Sequence, residues 1–128
     1  MSDRFEKGMS VLKITNKETI EGIFEELEDI APDLGRFVVE FPYSEIYTRD
    51  GLDLKTRELI TVAALTAMGN ASKQLEHHIN AALNVGNSPK EIVEAIMQMS
   101  AYAGFPAAIN GITSAKKVFK EKKLLPVK

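Results

Sequence analysis

The chain has 128 residues, 45% apolar and 27% charged, enough for one globular domain with a core of its own, so a single domain over residues 1–128 is expected. Sixteen basic residues against 18 acidic ones leave a net charge of -2, too balanced for a polyanion-binding surface, which excludes nucleic acid as the expected partner. The absence of cysteine removes disulfides, thiolate metal sites, thiol nucleophiles and dithiol redox chemistry together.

No apolar run reaches the ~18 residues of a spanning helix, and "MSDRFEKGMSVLK" is too charged for a signal-peptide core, so no membrane association and a cytoplasmic location are expected. Apolar residues recur at helical spacing almost throughout, and no stretch sustains period-two alternation, so the predicted class is all-α with about six to seven helices.

The first predicted helix covers Asp3 to Leu12, with Asp3 and Glu6 as a capping pair and Phe5, Met9 and Leu12 on one stripe. Thr15 and Glu18 have capping-box spacing ahead of Ile20, Ile23, Phe24 and Leu27, which predicts a second helix ending near Ile30. "APDLGRFVVEF" restarts with Pro32 in the first turn and places Leu34, Phe37, Val38 and Phe41 on one stripe, with Pro42 as its end. "YSEIYTRDGLDLKTR" lacks a clean period and reads as a functional loop or linker, leading to a helix from near Leu54. "ELITVAALTAMG" is apolar nearly all round, as in a central helix or one buried further by a partner subunit. A helix capped near Asn70 or Ser72 and closed by Gly86 follows. The strongest start signal is Ser88, Pro89 and Glu91, ahead of a stripe of Ile92, Ala95, Ile96 and Met99. A last helix carries Ile109, Ile112, Ala115 and Phe119. Met68, Met97 and Met99 fall on apolar faces and read as core.

Candidate chemistry concentrates in "QLEHHINAALNVG", which holds the only two histidines. Adjacent helical residues are turned by about 100°, so the two rings cannot share a task. His78 lies beside the apolar stripe of Leu75, Ile79 and Ala82, whereas His77 aligns with Gln74, Ala81 and Asn84 on a more polar face. Two neighbouring histidines do not converge on one ion, and no HExxH grouping is present, so no metal site is expected. Neither a GxSxG elbow nor a phosphate-cradling glycine loop occurs. Glu58 opens the most apolar helix, where a carboxylate either complements the helix dipole or orients an imidazole. Arg49 and Arg57 flank the irregular segment and suit a carboxylate clamp, while Tyr43, Tyr47 and Tyr102 suit either a pocket wall or packing.

Taken in order, "EIYTRDGLDLKTRELITVAALTAMGN" and "QLEHHINAALNVGNSPKEIVEAIMQMSAYAGFPAAIN" resemble the carboxymuconolactone decarboxylase family, over about Pro42 to Asn110 and, in general character, "LEDIAPDLGRFVVEF" upstream. The resemblance implies an alkylhydroperoxidase D-like helical fold assembled as a homotrimer or homohexamer. One branch of the family decarboxylates 4-carboxymuconolactone without a cofactor, and the other reduces peroxides through a CxxC pair. Here the cysteine positions fall on Ala71 and Gln74, which excludes the dithiol chemistry. Counting back from Gly86 puts the family histidine on His78, and counting forward from Glu58 puts it on His77. An inserted residue in the "GNAS" turn reconciles the two in favour of His78, because loops accept insertions and helix interiors do not. The resemblance thus implies His78 as proton donor or oxyanion stabiliser, with His77 as the alternative occupant, and Glu58 as its orienting carboxylate. Arg49, Arg57 and Tyr47 would bind substrate. The competing expectation is a family scaffold that acts on another small molecule or serves as a non-catalytic oligomeric binding protein.

Overall fold

A computed structural model describes residues 2–128, and every regular element among them is helical. The chain divides into two units, Met1–Leu54 and Lys55–Lys128.

The N-terminal unit contains α1 (Asp3–Thr15), α2 (Lys17–Leu27), α3 (Pro32–Val38) and a π-helical segment, Val39–Ile46. Ser2, rather than the expected Asp3 and Glu6 pair, caps α1 by accepting from the Phe5 amide at 3.1 Å. The Thr15 and Glu18 box does not form, because α1 runs three residues further than its stripe suggested and takes up Thr15 as its buried last residue. Asn16 then separates the two helices, and α2 ends at Leu27 rather than near Ile30.

Pro42 does not end a helix. An α-helix would suffer its missing amide and the clash of its ring with a carbonyl four residues back. The chain instead widens to π geometry around it, and the Tyr47 amide reaches the Pro42 carbonyl at 2.8 Å. Of the stripe predicted for this region, Val38 packs against the core but the other three members do not. Val39 and Tyr43 enter the core with Val11, Leu12 and Ile20, while Leu34, Phe37 and Phe41 stay exposed. Gly35 explains the rotation: a side chain there would meet Phe24 Cδ1 at 2.8 Å, so only glycine lets α3 approach α2 on this face.

Glu40 is nearly buried and ties the unit together. Ser2 Oγ donates to its Oε2 at 2.5 Å, Arg36 Nη1 lies 2.7 Å from its Oε1, and Arg4 Nη2 donates to its backbone carbonyl at 3.3 Å. The Ser2 hydrogen bond, then the Arg36 bond, hold the Glu40 carboxyl below the usual carboxylate range.

The C-terminal unit contains α4 (Leu54–Met68) from its second residue onward, α5 (Ser72–Asn84), α6 (Pro89–Gln98), the single turn α7 (Ser100–Ala103) and α8 (Phe105–Glu121). Its core joins Val62, Leu75, Ile79, Ala82, Ile92, Ile96, Ala115, Val118 and Phe119. The α6 capping box forms as the sequence predicts: the Glu91 amide donates to Ser88 Oγ at 3.0 Å and Glu91 Oε1 accepts from the Ser88 amide at 2.9 Å. Neither Asn70 nor Ser72 caps α5, since Ala71 occupies the cap position and Ser72 is already helical.

Met68, Met97 and Ile109 are exposed, against expectation. Each helix here buries a single stripe, and the inward line of α8 runs through Ala108, Gly111 and Ala115 instead. Gly111 sets this line, because a Cβ there would meet Thr66 Cγ2 at 2.8 Å and Ile96 Cγ2 at 2.9 Å, so α8 lies against α4 and α6 only where a side chain is missing.

Two outcomes test these packing arguments. Gly111→Ala inserts a methyl where both neighbours are branched side chains in the core, and should cost about 1–3 kcal/mol in urea unfolding. For Glu40, a carboxyl held below its unfolded value stabilises the fold above the ordinary carboxylate range, and that stabilisation disappears as the pH falls through the folded value. The native urea midpoint should therefore drop more steeply on acidification than that of Glu40→Gln.

Candidate active site

The buried residues of α4 are Glu58, Val62 and Thr66, one turn apart along a single line, so the inward face of a largely apolar helix begins with a carboxylate. Glu58 is 0% exposed. On α5, Leu75, Ile79 and Ala82 are buried, and His78 stands beside them with 21% of its side chain exposed. Helical spacing therefore aims the His78 ring along the core edge, as its place in the sequence predicted.

The two side chains meet. His78 Nδ1 lies 2.7 Å from Glu58 Oε1, while Glu58 Oε2 is buried with no hydrogen-bond partner. Among the described residues the histidine is thus the hydrogen-bond partner shown for a fully buried carboxyl group. A carboxylate accepting from Nδ1–H fixes the imidazole tautomer and leaves Nε2 as the nitrogen that can exchange a proton with a ligand. Such a pair can donate or accept a proton, with one side in the core and the other partly in solvent.

His77 is half-buried on the same helix but turned away by about 100°. Arg57 is half-buried on α4, next to Glu58 in sequence, and its carbonyl accepts from Thr61 Oγ1 at 2.9 Å. Tyr47 and Arg49 belong to the N-terminal unit. The Tyr47 ring packs on Tyr43 at 4.9 Å between centroids, beside the core of that unit, and Arg49 is exposed along an open groove with Arg4, Lys7 and Asp50. Tyr102, another candidate wall residue, is exposed. Among the described residues no three His, Asp or Glu side chains gather as a metal site would require.

Asn87 went unremarked in the sequence, yet it is buried and its side chain bonds two backbone carbonyls of this unit. Its only sequence signal is an asparagine directly after Gly86, whose φ of 104° turns the chain out of α5.

Residues 32–117 match the model of the carboxymuconolactone decarboxylase family. The chain is 32% identical to 4-carboxymuconolactone decarboxylase of Acinetobacter baylyi, over 98% of this chain and 93% of that protein. It is 35% identical to an uncharacterised 15.0 kDa protein from the nqo9-nqo10 intergenic region of Paracoccus denitrificans, over 74% of this chain and 72% of the relative. It is 25% identical to the nitrosuccinic acid decarboxylase npaB of Metarhizium robertsii, over 91% of this chain and 82% of that protein. Family match and near full-length similarity agree with the all-helical architecture: the chain is an alkylhydroperoxidase D-like member of the carboxymuconolactone decarboxylase family.

Proposed function

We propose that this protein is a decarboxylase of a small carboxylated lactone, 4-carboxymuconolactone or a close analogue, working without a cofactor. The observation that carries the reading is the 2.7 Å contact between the buried Glu58 carboxyl and His78 Nδ1. The names of the Acinetobacter and Metarhizium relatives support it, since both are decarboxylases.

In this reaction the bond between the ring carbon and its carboxylate breaks, and carbon dioxide leaves. The electron pair passes through the conjugated double bond to the lactone carbonyl, giving an enolate, which a proton then quenches at carbon. The substrate supplies its own electron sink, so the protein has three tasks: to desolvate the departing carboxylate, to stabilise the enolate oxygen and to deliver the proton. His78 carries the second and third through Nε2, and it regains its proton from water for the next cycle. Glu58 holds the ring in place and balances its charge while it is protonated. Arg57, one residue from Glu58, is assigned to a substrate carboxylate. The exposed Leu34, Phe37 and Phe41 stripe supports assembly as a homo-oligomer.

Nitrosuccinic acid suggests the same logic with another sink, because a nitro group can take up the electrons that the lactone carbonyl would accept. This compound is therefore the second substrate to try.

Purified protein should release carbon dioxide from 4-carboxymuconolactone. His78→Ala should lower kcat by roughly 10²–10⁴-fold, the usual worth of a positioned acid or base. Glu58→Gln should lower it by about 10–100-fold, as expected of a group acting through its partner, and His77→Ala should leave most of the rate. A folded protein with no turnover on either compound would overturn the assignment, and a rate lost with His77 but not His78 would overturn the roles.

A further inference from the structure

Asn87 follows Gly86 in the turn between α5 and α6 and is 4% exposed. Its Nδ2 donates to the Lys55 carbonyl in the first turn of α4 at 2.9 Å and to the Ala82 carbonyl of α5 at 3.1 Å. Its backbone amide also donates to the Ala82 carbonyl at 3.0 Å. Both side-chain neighbours can only accept, so the amide nitrogen must face them. The opposite oxygen, Oδ1, is left buried with no hydrogen-bond partner. Aspartate would set its oxygens against two carbonyls, and an apolar residue would give up both bonds. The position therefore calls for a double donor, at the expense of an unsatisfied acceptor.

The location of these bonds gives them a second meaning. Lys55 precedes Glu58 by one turn on α4, and Ala82 follows His78 by one turn on α5, so the Asn87 link and the Glu58–His78 contact are neighbouring rungs between the same two helix faces. The apolar contacts around Val62, Leu75 and Ile79 hold α4 in the core, and the burial that drives them is itself non-directional. A hydrogen bond is directional and weakens steeply with misalignment. Beside the Glu58–His78 bond itself, the Asn87 bonds are directional links at this end of the helix pair, and they constrain its register.

We infer that Asn87 is a positioning residue: it sets the axial register of α4 against α5 and thereby holds Glu58 Oε1 at hydrogen-bond distance from His78 Nδ1. It touches no substrate and acts through Glu58. The catalytic consequence rests on the proposed decarboxylation, whereas the geometric one does not.

The test reads the imidazole directly. In a His77→Gln background His78 is the only histidine, and its nitrogen NMR signals report the tautomer and the Nδ1 hydrogen bond. The Nδ1-protonated form should dominate in that background. Adding Asn87→Ala should produce a mixture of tautomers and loss of the low-field Nδ1 proton. In otherwise native protein, Asn87→Ala should lower kcat on 4-carboxymuconolactone by about 10–100-fold with little change in KM, the pattern of a displaced acid rather than lost binding. Asn87→Ser, whose hydroxyl can donate only one bond, should give an intermediate tautomer mixture and keeps the test open if the alanine variant does not fold. Ser88→Ala is the control, because it removes the α6 cap next door without touching either Asn87 bond, and it should leave the imidazole signals native.

A native tautomer distribution in the folded Asn87 variants would overturn the inference, as would an equal disturbance in Ser88→Ala. The NMR measurement needs no substrate, so absence of turnover would count against the decarboxylase reading and leave the register argument to be judged on the imidazole.

Discussion

A carboxyl group with no solvent exposure is the constraint around which the C-terminal unit is arranged. Taking an ionised carboxylate out of water carries a penalty of several kcal/mol unless a partner compensates it, and among the described residues the partner shown for Glu58 is the Nδ1 of His78. A hydrophobic residue on the first buried turn of α4 would pack with no such requirement. Its presence ties the placement of α4 to a single atom on α5, and that dependence turns a packing arrangement into a candidate site.

The rest of the unit limits the freedom of those two helices. Gly111 lets α8 lie against Thr66 and Ile96, which seats the far end of α4, while Asn87 bonds its near end to α5. Gly86 turns the chain out of α5, and the Ser88 and Glu91 box starts α6 immediately afterwards, with Lys55 of α4 reaching Glu91 at 3.4 Å. Local devices, each worth little alone, converge on the end of the helix pair that carries the Glu58–His78 contact. The outer side of His78 stays partly open, as proton exchange with a small molecule requires.

What could be read in advance followed from how local the cause was. The α6 cap was legible because both partners lie within one turn, and no distant contact competes with them. That His77 and His78 point to different surroundings was legible because helical geometry alone turns adjacent residues apart. The Thr15 and Glu18 pair has equally good spacing and failed, because α1 continued and drew Thr15 into the core. Leu34, Phe37 and Phe41 have a regular period, yet the close approach at Gly35 decided which face of α3 turned inward. Pro42 was read as a stop because an interior proline breaks α geometry, and the chain adopted a wider helix instead.

The sequence by itself determined the helical class, the family resemblance and the exclusion of dithiol chemistry, all of which depend on periodicity, residue order or composition. It also narrowed the reactive side chains to a few. Only the tertiary structure decided that Glu58 is a buried partner rather than a helix-dipole residue, that its contact is His78, and that Asn87 belongs beside them. These are contacts between residues some 20 to 32 positions apart, and hydrogen-bond partners at such separations are chosen by how helices cross, which no local pattern encodes.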